Sequence, residues 1–256
     1  MKPVSKLLLA MVPVLLVAAC GGSGDDSLDD RIGVADPKVR MVNAVPLAPN
    51  VSLFRNSVAQ AGDVTNMPYK SASKYFDVAT GLATWDVLTA TTPAAPVGSV
   101  TFDAQRGKKF TLVAVPDAGS VTSLELIVDP YNKSLVSDNA RVRVYNASVN
   151  AGSVDVYVTA PTIDIATVAP TFAALGYRQS APSSGADSLE VEGGAYRLRI
   201  TTAGTKTVIF NATVTLAQNS DWLFASVPGS VTPNDVHVLV IKSDEGVPAT
   251  ELVTTP

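Results

Sequence analysis

One histidine, His237, and one cysteine, Cys20, bound the chemistry open to this chain. A catalytic histidine needs a nucleophile in reach and a carboxylate to orient it. His237 sits instead in the apolar run Asp235-Val-His-Val-Leu-Val-Ile241, and the chain has no Gly-x-Ser-x-Gly elbow. It reads as an ordinary strand histidine. With one histidine and one cysteine, the usual His/Cys zinc centres are excluded. Calcium stays open through Asp155, Asp187, Glu190 and Glu192, although alternation along their strands puts these on a solvated sheet face. The early aspartates Asp25, Asp26, Asp29 and Asp30 lack the ligand spacing and glycine turn of a calcium loop. Nothing singles out a glycosidase-like carboxylate pair, a phosphate-cradling loop or a dinucleotide fingerprint. No catalytic residue, metal ligand or cofactor is expected.

Side chains suited to binding are few. Trp85 and Trp222 could stack on sugars, but each has apolar neighbours at spacing two, which reads as core packing. Asn43 and Asn146 follow strands and read as turn asparagines that bond their own backbone. Tyr69, Tyr75 and Tyr177 lie in less regular segments between strands, where binding residues concentrate. They are the candidate contact surface, in a patch at one end of a domain built from Tyr69–Tyr75 or from residues 160–187.

Cys20 has a more specific setting. Lys2 and Lys6 form a short basic start, Leu7 to Val17 is apolar, and small residues follow. That is a secretory signal, too short for a comfortable membrane span. Val17-Ala18-Ala19-Cys20 resembles the bacterial lipobox, which implies that Cys20 is lipidated and becomes the mature N-terminus. Several acyl chains on one cysteine would anchor the chain stably in a bilayer. Gly21 in place of Asp after the cysteine points, by the same analogy, to the outer membrane of a diderm envelope. As the only cysteine, Cys20 leaves no intramolecular disulfide, so the folded body must hold by packing.

The formal charge is −4. Removing Lys2 and Lys6 from the 19 basic residues leaves 17 against 23 acidic ones, so the mature chain carries about −6. A mildly acidic chain without a basic patch is not a nucleic-acid binder. Residues 20–36, from Cys20 through the Gly-, Ser- and Asp-rich stretch, read as a flexible acidic tether.

The rest divides into two similar parts. VRMVNAVPLAPNVSLFRN (39–56) aligns without gaps on VRVYNASVNAGSVDVYVT (142–159), with six identities including Arg40/Arg143 and Asn43/Asn146. FDVATGLATWDV (76–87) parallels LEVEGGAYRLRI (189–200), and FTLVAVP (110–116) parallels WLFASVP (222–228). A period near 105 residues means tandem domains rather than a solenoid. Alternating strands such as Arg141-Val-Arg-Val-Tyr145, with frequent Gly and Pro, predict about seven strands per copy. The only short helix candidates are Ala72–Tyr75 and Thr171–Leu175. The expected fold is all-β: two tandem immunoglobulin-like antiparallel β-sandwiches at 37–135 and 139–245, joined by a short polar bridge and followed by a tail, 246–256.

The opening VRMVNAVPLAPNVSLFRN, and the later strand Ala195-Tyr-Arg-Leu-Arg after Gly193-Gly194, resemble the family known as domain of unknown function 4397. The resemblance extends over both copies and departs at Val149-Asn150, where the first copy has Pro46. It implies immunoglobulin-like sandwiches on exported or surface proteins and no assigned activity. Together these readings give a non-enzymatic lipoprotein of the cell envelope, anchored through acylated Cys20, whose sandwiches serve adhesion, scaffolding or the binding of a protein or glycan. The alternatives are a carbohydrate- or calcium-binding module, marked by an exposed aromatic pair or converging carboxylates, and a hydrolase, marked by a cleft with two facing carboxylates.

Overall fold

The computed structural model describes residues 33–117, 122–132, 134, 136–243 and 249–255. The signal segment, Cys20 and most of the tether lie outside them. Among the described residues there is no α-helix, only 3-10 turns such as Gly62–Val64 and Ile165–Thr167.

The first sandwich comprises β1 (Lys38–Asn43), β2 (Val51–Arg55), β3 (Val58–Ala59), β4 (Ser71–Ala72), β5 (Phe76–Asp77), β6 (Gly81–Thr89), β7 (Pro96–Ala104), β8 (Lys109–Pro116) and β9 (Thr122–Asp129). One sheet runs β4-β1-β8-β9, with β5 also on β1; the other runs β3-β2-β6-β7. The second sandwich comprises β10 (Asn139–Asn146), β11 (Val154–Thr159), β12 (Phe172–Leu175), β13 (Ser180–Ala181), β14 (Leu189–Glu192), β15 (Gly194–Thr202), β16 (Val208–Leu216), β17 (Asp221–Pro228), β18 (Val236–Lys242) and β19 (Thr250–Leu252). Its sheets run β13-β10-β17-β18-β19, with β14 on β10, and β12-β11-β15-β16. The strand order of the first sandwich recurs in the second. Two pairings are parallel, β1 with β8 and β10 with β17, so one sheet of each sandwich is mixed while the other is antiparallel throughout.

Burial separates the sheets into outer and inner. On β6, Ala83, Trp85 and Val87 are buried and alternate with more exposed residues, as a half-covered strand should. On β8 and β17 nearly every residue is buried, which means both faces are covered. One face of each inner sheet packs within its own sandwich. Val39, Met41, Phe110 and Leu112 meet Leu53 and Trp85 in the first core. Val142, Val144, Trp222 and Phe224 meet Phe210 and Leu198 in the second. The opposite faces pack on each other in a third core: Val42, Val113, Val115 and Ile127 against Tyr145, Leu223, Ala225, Val227, Leu239 and Ile241. The molecule is a stack of four β-layers, and the two inner sheets form a seam between the sandwiches.

The helix expected at Ala72–Tyr75 begins in strand β4, and that at Thr171–Leu175 is strand β12. Segments this short cannot meet the cost of helix nucleation, and the open edges of β1 and β11 satisfy their backbone instead. The expected tail also joins the fold, because β19 pairs antiparallel with β18.

Candidate binding surface

The seam has a polar end at the start of β1, β8, β10 and β17. Period-two alternation turns Arg40, Lys109, Arg141 and Arg143 away from their own cores, and all four are at most 6 % exposed. The charged face of the alternating strand Arg141–Tyr145 is therefore turned to the other sandwich, not to water. Arg141 is held by Asp221 at 3.4 Å, Asp129 at 3.3 Å and Asp187 at 3.6 Å. Burial pushes its pKa down, but the three carboxylates outweigh that and hold the guanidinium above its ordinary value. The Arg40 guanidinium lies over the Tyr75 ring, 4.4 Å from its centroid, and Lys109 lies 3.6 Å from the centroid of Tyr131. Tyr75 is itself buried, its hydroxyl 3.1 Å from Thr111 Oγ1, and burial raises its pKa. It offers no exposed surface to a partner.

Toward the other end the two sandwiches grip each other reciprocally. Tyr69 Oη donates to the Pro228 carbonyl at 3.0 Å, and Tyr177 Oη donates to the carbonyl of Pro116, the counterpart of Pro228 on the other inner sheet. Each tyrosine precedes a basic residue with left-handed backbone, Lys70 (φ 64°) and Arg178 (φ 64°). Lys70 N donates to the Asn43 carbonyl and Arg178 N to the Asn146 carbonyl, so the two Tyr-basic pairs occupy equivalent places. Lys70 pairs with Glu251 of β19, and Arg178 pairs with Glu125 of β9 and with Asp117 at 2.9 Å. Burial raises both tyrosine hydroxyls, Tyr177 to about 12, which keeps them neutral donors at any physiological pH. Tyr69 and Tyr177, expected at a contact surface, thus make contacts inside the chain.

Beyond the Tyr69 pair opens an apolar groove of about 330 Å³. Three turns wall it: Pro46 and Leu47 after β1, Val149 and Asn150 after β10, and Pro228 to Val231 at the end of β17, with Tyr69 at its side. Asn150 ties the turns of the second sandwich together, its Nδ2 donating to the carbonyls of Thr232 at 2.7 Å and Asp235 at 3.1 Å. Leu47 is 91 % and Val231 83 % exposed, and Val149 is half exposed. Leu47 also takes φ 60°, a conformation in which a branched side chain is strained. The groove lies past the C-terminal end of β1, opposite the end at which residues 33–37 lead into that strand.

Tyr69 is the one expected contact residue that borders this groove. Leu47, Val149 and Val231 were not expected as contact residues; a leucine and two valines in turns carry no binding signal until three separate turns meet. Trp85 and Trp222 pack in their cores, and Trp85 stacks on Phe102 at 5.8 Å. Asn43 and Asn146 are buried turn asparagines whose Oδ1 accepts from Val45 N and Ser148 N, two residues on. Their amides also donate to carbonyls of neighbouring segments, Met67 for Asn43 and Gly152 and Leu175 for Asn146. His237 lies on β18 beside Glu251. Asp155 does not face solvent as expected: it is 5 % exposed and accepts from Ala174 N at 2.7 Å and Gly204 N at 2.8 Å, fixing two turns. Glu190 and Glu192 are exposed, and Asp187 turns to Arg141. Among the described residues no cluster of three or more His, Cys, Asp or Glu is arranged to hold a metal ion, and no helix is long and apolar enough to cross a membrane.

No curated protein matches the chain. The model of a family described as "Domain of unknown function (DUF4397)" matches residues 37–157, which takes in the first sandwich and the opening strands of the second and supports the resemblance to that family drawn from the sequence.

Proposed function

We propose that this chain is a non-enzymatic lipoprotein of the cell envelope, anchored through acylated Cys20 in the outer membrane, that presents a partner-binding end away from the bilayer. On this reading the second sandwich is a second copy of the family domain, and the pair forms a spacer as well as a platform. The observation that carries the proposal is the apolar groove with Leu47 and Val231 exposed around it. Soluble proteins rarely leave such residues clustered in water without a use, and a strained exposed leucine is kept against its own conformational preference. The groove's position opposite the start of β1 favours a partner over the anchoring membrane. An apolar lining suits the side chains of a protein partner better than a glycan, whose hydroxyls need polar groups.

The test has two parts. Wild type and Cys20→Ala are fractionated and the mature N-terminus is weighed: a membrane-bound wild type with a lipid-sized mass increment and a soluble mutant are expected. A photoreactive residue is then placed on intact cells at Val231, and at Leu82 on the outer sheet as a control. A discrete adduct from position 231 alone is expected. Two soluble, cleaved forms would overturn the anchoring, and equal labelling at both positions would overturn the binding end.

A further inference from the structure

At the polar end of the seam, Arg40 and Arg143 come from equivalent places on β1 and β10 and border one cavity between the sandwiches. The cavity volume is about 20 Å³, room for one small species. Both guanidinium groups are more than nine-tenths buried, and each has an N–H with no partner: Nη1 of Arg40 and Nε of Arg143. Arg40 Nε donates to Thr111 Oγ1 at 2.9 Å, and Arg143 donates to the carbonyls of Pro182, Ser183 and Ala186.

Charge points the same way. Four buried cations, Arg40, Lys109, Arg141 and Arg143, share three carboxylates, Asp129, Asp187 and Asp221, and Asp187 is half exposed. Asp129 and Asp221 also border the cavity; both pair with Arg141, and Asp129, which further accepts from Tyr131 N and Ser188 Oγ, reaches Arg143 Nη2 only at 3.9 Å. Burial holds the Arg143 pKa below its ordinary value, the sign of a guanidinium whose charge is incompletely matched. An anion accepts from both guanidinium groups and offsets the excess of positive charge.

We propose that the cavity is a halide site, with one chloride ion seated between Arg40 and Arg143 and clasping the two sandwiches. The ion binds the folded seam and not the unfolded chain, so it stabilises the fold by mass action. At saturating levels each tenfold rise in halide raises Tm by roughly 3–5 °C for a body of this size.

The test follows thermal unfolding of the mature protein in sodium bromide, with sodium gluconate holding ionic strength constant. Bromide anomalous scattering from crystals grown in the same salt locates the ion. A rising Tm and an anomalous peak between Arg40 and Arg143 are expected. Arg40→Met keeps the volume and removes the donor and the charge, so the halide dependence disappears. Arg106→Gln, at an exposed pair with Asp36, keeps it. Equal Tm in both salts, a peak only at the protein surface, or halide dependence that survives Arg40→Met would each overturn the proposal. If Arg40→Met does not fold, the wild-type bromide map decides alone.

Discussion

Leu223→Ala tests whether the seam makes two sandwiches into one folding unit. Leu223 is 1 % exposed and points into the third core with Val113, Val115 and Ile127 opposite. Deleting a buried leucine to alanine costs about 2–5 kcal/mol, the transfer of the lost carbons plus the cavity left behind. For a body of this size 1 kcal/mol moves Tm by about 2–4 °C, so a loss of roughly 4–20 °C is expected. Each sandwich carries one core tryptophan, Trp85 in the first and Trp222 in the second. Single-tryptophan variants, Trp222→Phe and Trp85→Phe, therefore read the sandwiches separately by fluorescence. If the seam couples them, Leu223→Ala shifts both reporters together, although the substitution lies only in the second sandwich. A Trp85 transition that stays put while the Trp222 transition falls would refute the coupling.

Four further outcomes are expected. Asn146→Ala costs more stability than Asn43→Ala in denaturant unfolding, about 2–3 against 1–2 kcal/mol, because Asn146 also receives Ser226 Oγ and serves two carbonyls. Gly98→Ala destabilises by about 1–3 kcal/mol, since its Cβ would fall 2.5 Å from the backbone nitrogen of Leu124. Burial pushes the Glu251 carboxyl up, but hydrogen bonds and charge from Lys70 and His237 hold it below its ordinary value. Its contribution is therefore complete above the unfolded carboxylate pKa and lost as pH falls through the lower folded one. The Tm gap between wild type and Glu251→Gln should close as pH falls below about 5, from a stability of no more than about 1 kcal/mol for so exposed a pair. Phe110→Ala, which removes a ring stacked 4.8 Å from Phe102, should cost about 3–5 kcal/mol in the same unfolding assay.

The strands and their cores were legible because valine-rich alternation and buried runs leave a period that local reading detects. Trp85 with Ala83 and Val87 is an example. The seam was not legible, for a physical reason. Arg141-Val-Arg-Val-Tyr145 has the same pattern whether its charged face meets water or a second sheet carrying carboxylates, and only the tertiary arrangement decides. The continuous apolar runs at 110–116 and 222–228 did carry a hint, since strands covered on both faces lose their alternation. Tyr69 and Tyr177 were found from their irregular surroundings, yet their role follows from the prolines they reach on the other sandwich. The groove drew on three turns far apart in the chain. The bridge at 133–139 falls partly outside the described residues, and the contacts that join the sandwiches come from the seam.

The parallel pairing of β1 with β8 bears on how this molecule would carry force. Load taken by the second sandwich reaches the Pro116 end of β8 through Tyr177, so in a chain held on its N-terminal side β1 is drawn one way and β8 the other. Six residue pairs join these strands, from Lys38 with Lys109 to Asn43 with Ala114. Under such a pull their hydrogen bonds are loaded together in shear instead of opening one after another as in a zipper. Rupture then requires the whole ladder to fail at once, so the arrangement suits a tether meant to stay intact under drag.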